Sequence, residues 1–237
     1  MNDLILFGVV PYVAVALAIS AGLYRYFVER YSWSSQSSQF LENRALFWGS
    51  VPWHYGIVLI LLAHVLAFLF PTGWGVLVGR PLRLYLLEVT GLALGIGTLV
   101  AAVLLLIRRA VGARVMAVTS VIDWLVLVAL LAQVLTGVYI AMFLRWGSVW
   151  SLHTVVPWLW SLVKLDPQIQ YLAAMPAVVQ VHAVNAFVLV ALFPYSRLVH
   201  AISVPLSYFA RPYQIVVWNR PFTIAAHLAK SEESERR

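Results

Sequence analysis

Five long apolar runs constrain this chain more than any other feature. They cover Leu4–Phe27, Val51–Phe70, Leu84–Ile107, Val121–Leu144 and Val178–Ile202. A helix needs about 20 apolar residues to cross the hydrocarbon of a bilayer. There, only helices and closed barrels satisfy every backbone N–H and C=O. The expectation is an all-α integral membrane protein, a five-transmembrane-helix bundle. Composition agrees: 62% of the 237 residues are hydrophobic and 11% charged, against about 25% charged in a soluble domain. The membrane domain is read as 1–205 and the remainder, 206–237, as a cytoplasmic tail ending in the charged stretch Lys230–Arg237. A further apolar, Trp-rich stretch, Val149–Leu165, is short and interrupted by Pro157; it is read as lying in the membrane interface. Met1-Asn2-Asp3 puts no basic residue ahead of the first run, so that run is read as a retained helix rather than a cleaved signal.

The chain has no cysteine. That removes disulfides, Cys-ligated iron–sulfur clusters and covalent c-type haem from consideration. The net charge is +7, and no nucleic-acid-binding motif accompanies it, so no nucleic-acid partner is expected. The basic residues are read as setting topology and holding anionic lipid. Twelve of the sixteen fall on one side: Arg25, Arg30, Arg44, Arg108, Arg109, Arg114, Arg197, Arg211, Arg220, Lys230, Arg236 and Arg237. Arg80, Arg83, Arg145 and Lys164 fall on the other. The positive-inside rule then puts the N-terminus outside and the C-terminus in the cytoplasm, the expected membrane being the bacterial or archaeal plasma membrane.

Four histidines lie in or at the ends of two of the runs. His54 and His64 are on the second, His182 and His200 on the fifth. An ionisable side chain within a bilayer is costly and marks function. Two helices with two histidines each point to haem ligation rather than to a single interhelical hydrogen bond. The two helices run in opposite directions, so His64 pairs with His182 near the outer face and His54 with His200 near the inner face. Each pair can supply both axial ligands of one haem iron, an arrangement suited to electron transfer. The vertical spacing is uneven. Ten residues rise about 15 Å and eighteen about 27 Å along a straight helix. A kink at Pro194 is expected to absorb the difference. His153 and His227 lie outside the spans and are read as solvated or interfacial.

Haem propionates call for cations, and Arg109, Arg114 and Arg197 are the candidates at the cytoplasmic edge, with Arg108 beside them. On the sparse outer side, Arg83 and His64 are candidates for a quinol site; a snorkelling interfacial arginine is the plainer reading of Arg83. Gly91, Gly95 and Gly97 form a small-residue stripe on the third span, read by default as helix packing.

At these residues the chain resembles the gamma subunit of respiratory nitrate reductase, a membrane di-haem cytochrome b. The resemblance runs from about Pro11 to Val216. It is strongest at Phe193-Pro-Tyr-Ser-Arg197-Leu-Val-His200-Ala-Ile-Ser-Val-Pro205. Supporting stretches are Tyr31-Ser-Trp33 with Ser37-Ser38-Gln39, the His54/His64 spacing, Leu104-Leu-Leu-Ile-Arg108-Arg109 with Arg114-Val115, and Tyr213-Gln214. The resemblance implies two haem b groups, His64 and His182 holding the distal one and His54 and His200 the proximal one. It implies quinol oxidation near the outer face, electron delivery to a cytoplasmic iron–sulfur subunit, and nitrate reduction on a molybdenum catalytic subunit. Two departures stand out: Ala63 precedes His64 where the family often has glycine, and the family's quinol-site lysine has Arg83 as its nearest counterpart. Two other readings compete. The same cytochrome serving a different molybdenum oxidoreductase, for example one oxidising nitrite, is separable by its co-purifying subunits. A proton-coupled transporter would often show inverted repeats and broken central helices, which are not evident here.

Overall fold

The computed structural model describes residues 2–29 and 44–202. His227 and the tail 206–237 lie outside the described residues. The described residues form helices and turns without a strand. The principal helices are α1 (Asn2–Phe27), α2 (Arg44–Leu69), α3 (Pro71–Val78), α4 (Pro81–Val111), α5 (Val121–Phe143), α6 (Val155–Val163) and α7 (Ala177–Leu192). Five are long and apolar enough to cross a membrane: α1, α2, α4, α5, and α7 with the turn that extends it to Tyr195. Their outward faces stay apolar, with Leu59, Leu62, Val100, Leu125 and Val128 all exposed. An apolar surface of that extent marks contact with lipid or protein rather than water.

Local chemistry sets the helix ends. Pro71 and Pro81 open α3 and α4, where the missing N–H would be unpaired in any case. A reciprocal capping box opens α5: Asp123 N–H donates to Ser120 Oγ at 3.3 Å and Ser120 N–H donates to Asp123 Oδ2 at 3.0 Å, satisfying two free donors of the first turn. The α2 helix begins at Arg44, ahead of the apolar run expected from Val51, and carries Pro52 inside it.

The fifth span departs from expectation most. Instead of continuing to Ile202 with a kink, α7 stops at Leu192 and passes into a 3-10 turn at Phe193–Tyr195. Ser196 is extended, and a second 3-10 turn covers Arg197–Ala201. Pro194 has no N–H to continue the helical ladder. The Ser196 hydroxyl then accepts the Leu198 N–H at 3.2 Å and starts the new turn.

The spans pack in the order α2, α4, α5, α7, α1. The closest approach is between α2 and α4. A Cβ on Gly56 would sit 2.0 Å from Thr98 Oγ1, and one on Gly49 would sit 2.8 Å from Leu105. Of the expected stripe on α4, Gly95 meets Val138 of α5, whereas Gly91 and Gly97 have no neighbour within 4 Å. The small residues that set the α2–α4 distance are therefore on α2.

Tryptophans tie together the end of the bundle at which α1 starts and α2 ends. Pro11 cannot donate an N–H to the Phe7 carbonyl, and that carbonyl instead accepts the Trp158 indole N–H at 3.0 Å, within a π-helical turn at Ile5–Val9. Trp160 donates to Phe68 O at 2.9 Å at the end of α2. Trp74 donates to Ser148 O at 3.2 Å, and Glu88 of α4 accepts the Ser148 N–H at 2.9 Å as well as its hydroxyl. The stretch expected to lie in the interface thus includes a short helix, α6, whose Trp158 and Leu162 are buried with Phe7, Leu172 and Val179.

These contacts predict that Gly56→Ala lowers the thermal stability of the detergent-solubilised protein by about 1–3 kcal/mol through overpacking. Gly97→Ala, with open space around it, changes stability by less than about 1 kcal/mol. Thermal unfolding of the two variants side by side checks the contrast.

Candidate functional site

His54 and His64 stand on α2, His182 on α7 and His200 in the 3-10 turn beyond it, and α2 and α7 are not packed against one another. Because α2 and α7 are the two ends of the α2–α4–α5–α7 series and do not pack together, a gap separates them, and His54 and His200 meet across it. His54, His64 and His200 are exposed in the protein alone, and His182 is partly buried. The rings of His54 and His200 lie with centroids 6.0 Å apart and planes inclined at 63°. His200 lies beyond the end of α7, in the 3-10 turn that follows the break at Ser196.

Ring orientation follows from the partners. A carbonyl oxygen only accepts, so an Nδ1 bonded to one must carry the proton. His54 Nδ1 donates to Ser50 O, His64 Nδ1 to Ile60 O and His200 Nδ1 to Arg197 O, each at 2.7 Å. All three leave Nε2 with a free lone pair. His182 reaches the same tautomer through side chains. Thr136 gives its own hydroxyl hydrogen to Ala132 O at 2.7 Å, and its oxygen then accepts His182 Nδ1–H at 2.9 Å. Gln133 donates its amide N–H to His182 Nε2 at 3.1 Å. Asn185 holds that amide by donating to Gln133 Oε1 at 2.7 Å and to Ala129 O at 2.9 Å. Gly137 makes room for the ring, since a Cβ there would lie 3.1 Å from His182 Cε1.

This is the second-neighbour pattern of metal-binding imidazoles, in which the distal N–H is given to a carbonyl or similar acceptor. A metal–imidazole bond is about 2 Å long, so two imidazoles on opposite faces of one metal put their ring centres about 6 Å apart once the ring radii are added. The His54–His200 separation matches. Among the described residues no three His, Cys, Asp or Glu side chains converge. A histidine pair alone leaves most of a metal's coordination shell empty, so the pairs suit a metal that brings its own equatorial ligands, as a haem does.

The cation candidates are distributed unevenly. Arg197 forms a two-pronged pair with Asp123, Nε to Oδ1 at 2.9 Å and a terminal N–H to Oδ2 at 3.0 Å, and also donates to Val118 O at 2.8 Å. Arg109 meets the same carboxylate at 3.3 Å and donates to Thr119 Oγ1 at 3.3 Å. Arg114 is exposed and takes no part in that cluster, and Arg108 is buried. Arg83, near the start of α4, is exposed and gives one N–H to Val76 O at 2.8 Å, near the end of α3. His153 is exposed in the turn between α5 and α6.

The family model for the nitrate reductase gamma subunit matches residues 3–219. The chain belongs to that family. It is 32% identical over 219 residues to the nitrate reductase gamma chain of Bacillus subtilis, covering 91% of this chain and 98% of that one. It is 32% identical over 220 residues to the respiratory nitrate reductase 1 gamma chain of Escherichia coli, covering 90% and 96%. It also matches the nitrate reductase-like protein NarX of Mycobacterium tuberculosis at 33% identity over 213 residues, which is 87% of this chain and 32% of NarX. A gamma subunit of this family is a multi-pass membrane protein, in keeping with the five apolar helices.

Sequence reasoning passed over Asp123, Gln133, Thr136 and Asn185. Each is a polar residue inside an apolar span, a signal that was available. Asp123 also completes a Ser-x-x-Asp cap pattern with Ser120.

The tautomer assignment predicts that nitrogen-15 NMR of the histidine-labelled, haem-free chain finds His54, His64 and His200 protonated at Nδ1. Protonation at Nε2 in these three would contradict the carbonyl contacts.

Proposed function

We propose that this gamma-family chain is the membrane anchor and electron-transfer subunit of a respiratory nitrate reductase. It oxidises quinol near the outer face and delivers electrons to an iron–sulfur subunit in the cytoplasm. That partner serves a molybdenum catalytic subunit, where nitrate is reduced. The observation that carries this reading is the His54–His200 pair: two rings 6.0 Å apart across a gap between helices, with the His54 and His200 Nδ1 protons on backbone carbonyls and Nε2 left open.

The residues fit two haem b groups. His64 and His182 would hold the outer one, His54 and His200 the inner one, and Arg109, Arg114 and Arg197 remain the propionate candidates. When bound, the two haems supply one-electron carriers in series across the bilayer. The chain's own part is geometric and electrostatic. The carbonyls of Ser50, Ile60 and Arg197 and the Thr136 hydroxyl fix each imidazole with Nε2 presented, which raises its basicity as a ligand. Gln133 must release His182 Nε2 for that nitrogen to bind a metal.

Quinol oxidation yields two electrons and two protons. Arg83, one of whose N–H groups goes to Val76 O, has further donors for a quinol oxygen, and His64 is the second candidate at that face. The charge bias puts this face outside, so protons leave outward while electrons move inward. Each charge moved across the membrane represents about 2.3 kcal/mol per 100 mV.

A reduced-minus-oxidised spectrum with a haem b assay on the purified chain should give two haems per chain. His64→Ala should remove the outer one and His200→Ala the inner one. A wild-type chain without haem would end this reading. Arg83→Gln should raise the quinol KM by about tenfold or more, as expected for losing a charged hydrogen bond, with the haem content unchanged.

A further inference from the structure

We infer that Asp123 is a positioning residue for His200, setting the inner ligand through Arg197; this rests on the di-haem reading above. His200 does not belong to α7. The helix ends at Leu192, Ser196 is extended, and His200 sits in a five-residue 3-10 turn. A 3-10 turn of that length has weak internal hydrogen bonding, so its placement must come from outside. Arg197 links that placement to the ring through contacts on its two sides, one inside the turn and one outside it. The Arg197 carbonyl takes the His200 Nδ1 proton at 2.7 Å. The Arg197 guanidinium is clamped on Asp123 through two bonds of 2.9 and 3.0 Å.

Asp123 is itself fixed. Its side chain is 6% exposed, it accepts the Ser120 N–H, and Arg109 of α4 approaches it at 3.3 Å. One carboxylate thereby joins α4, the start of α5 and the His200 turn. A planar, two-pronged guanidinium–carboxylate pair defines direction as well as distance. Orientation therefore passes from the rigid α4–α5 pair to Arg197, then through its peptide to the His200 ring.

The test uses the full-length, haem-loaded chain in membranes. Asp123→Asn should weaken inner-haem binding by roughly ten- to hundredfold, the usual effect of removing an outer-shell partner of a metal ligand. The inner haem that remains should show a shifted low-spin electron paramagnetic resonance signal, with the outer signal unchanged. Asp123→Glu, which restores a carboxylate, should recover much of the inner signal. Glu88→Gln removes a carboxylate tie at the outer end and should leave the inner signal as it is. If Asp123→Asn does not accumulate, Arg197→Lys, which keeps the charge and loses the fork, should give the same selective shift. An inner haem at full occupancy with an unshifted signal would overturn the inference, as would equal loss of both haems. Absence of haem from the wild-type chain would instead overturn the reading on which it rests.

Discussion

An imidazole in an apolar medium needs partners for its ring nitrogens, and this structure supplies one for Nδ1 four times. A polar group left unpaired in an apolar medium costs several kcal/mol. The chain answers on the Nδ1 side with its own backbone: Ser50 and Ile60 lie one helical turn before His54 and His64, and Arg197 lies three residues before His200. The Nε2 side is left to whatever fills the gap. His182 differs because it is partly buried against α5, and its needs are met by Thr136 and Gln133. The result is a set of rings that share one tautomer although their surroundings differ.

The gap exists because of how the spans are joined. α2 packs tightly on α4 through Gly49 and Gly56, α4 on α5, and α5 on α7. That series leaves α2 and α7 as facing walls rather than as a packed pair. At one end of the bundle tryptophan indoles bond carbonyls of α1 and α2, those of Phe7 and Phe68. Near His200 the tie is ionic, through Arg109, Asp123 and Arg197. A buried ion pair gains little net stability; here it fixes the direction of a turn that its own hydrogen bonds would leave loose.

The number of spanning helices was legible in the sequence because apolar length is a one-dimensional property. The nearness of His54 and His200 was legible too, since it needs only that the two spans run in opposite directions. Helix ends were less legible. Pro194 announced a disturbance, but a kink and a full stop look alike in sequence, and the outcome turned on the Ser196 hydroxyl capping a new turn. The glycine stripe on α4 drew attention away from Gly49 and Gly56. Glycines gain meaning only from the neighbour they face, and Gly91 and Gly97 face none. Arg109 and Arg197 were read as cations awaiting an anion; both meet one within the chain, Asp123.

By itself, the sequence determined a membrane protein of five helices, a family, and four histidines in or just beyond two antiparallel spans. Those follow from hydropathy, charge and order along the chain, which need no partner in space. Only the tertiary structure decided that the His54 and His200 rings lie 6.0 Å apart, that His182 answers to Gln133 and Thr136, and that Asp123 gathers two arginines. Each of these is a contact between residues far apart in sequence. Such contacts depend on which helix faces lie together, and local pattern carries no record of that.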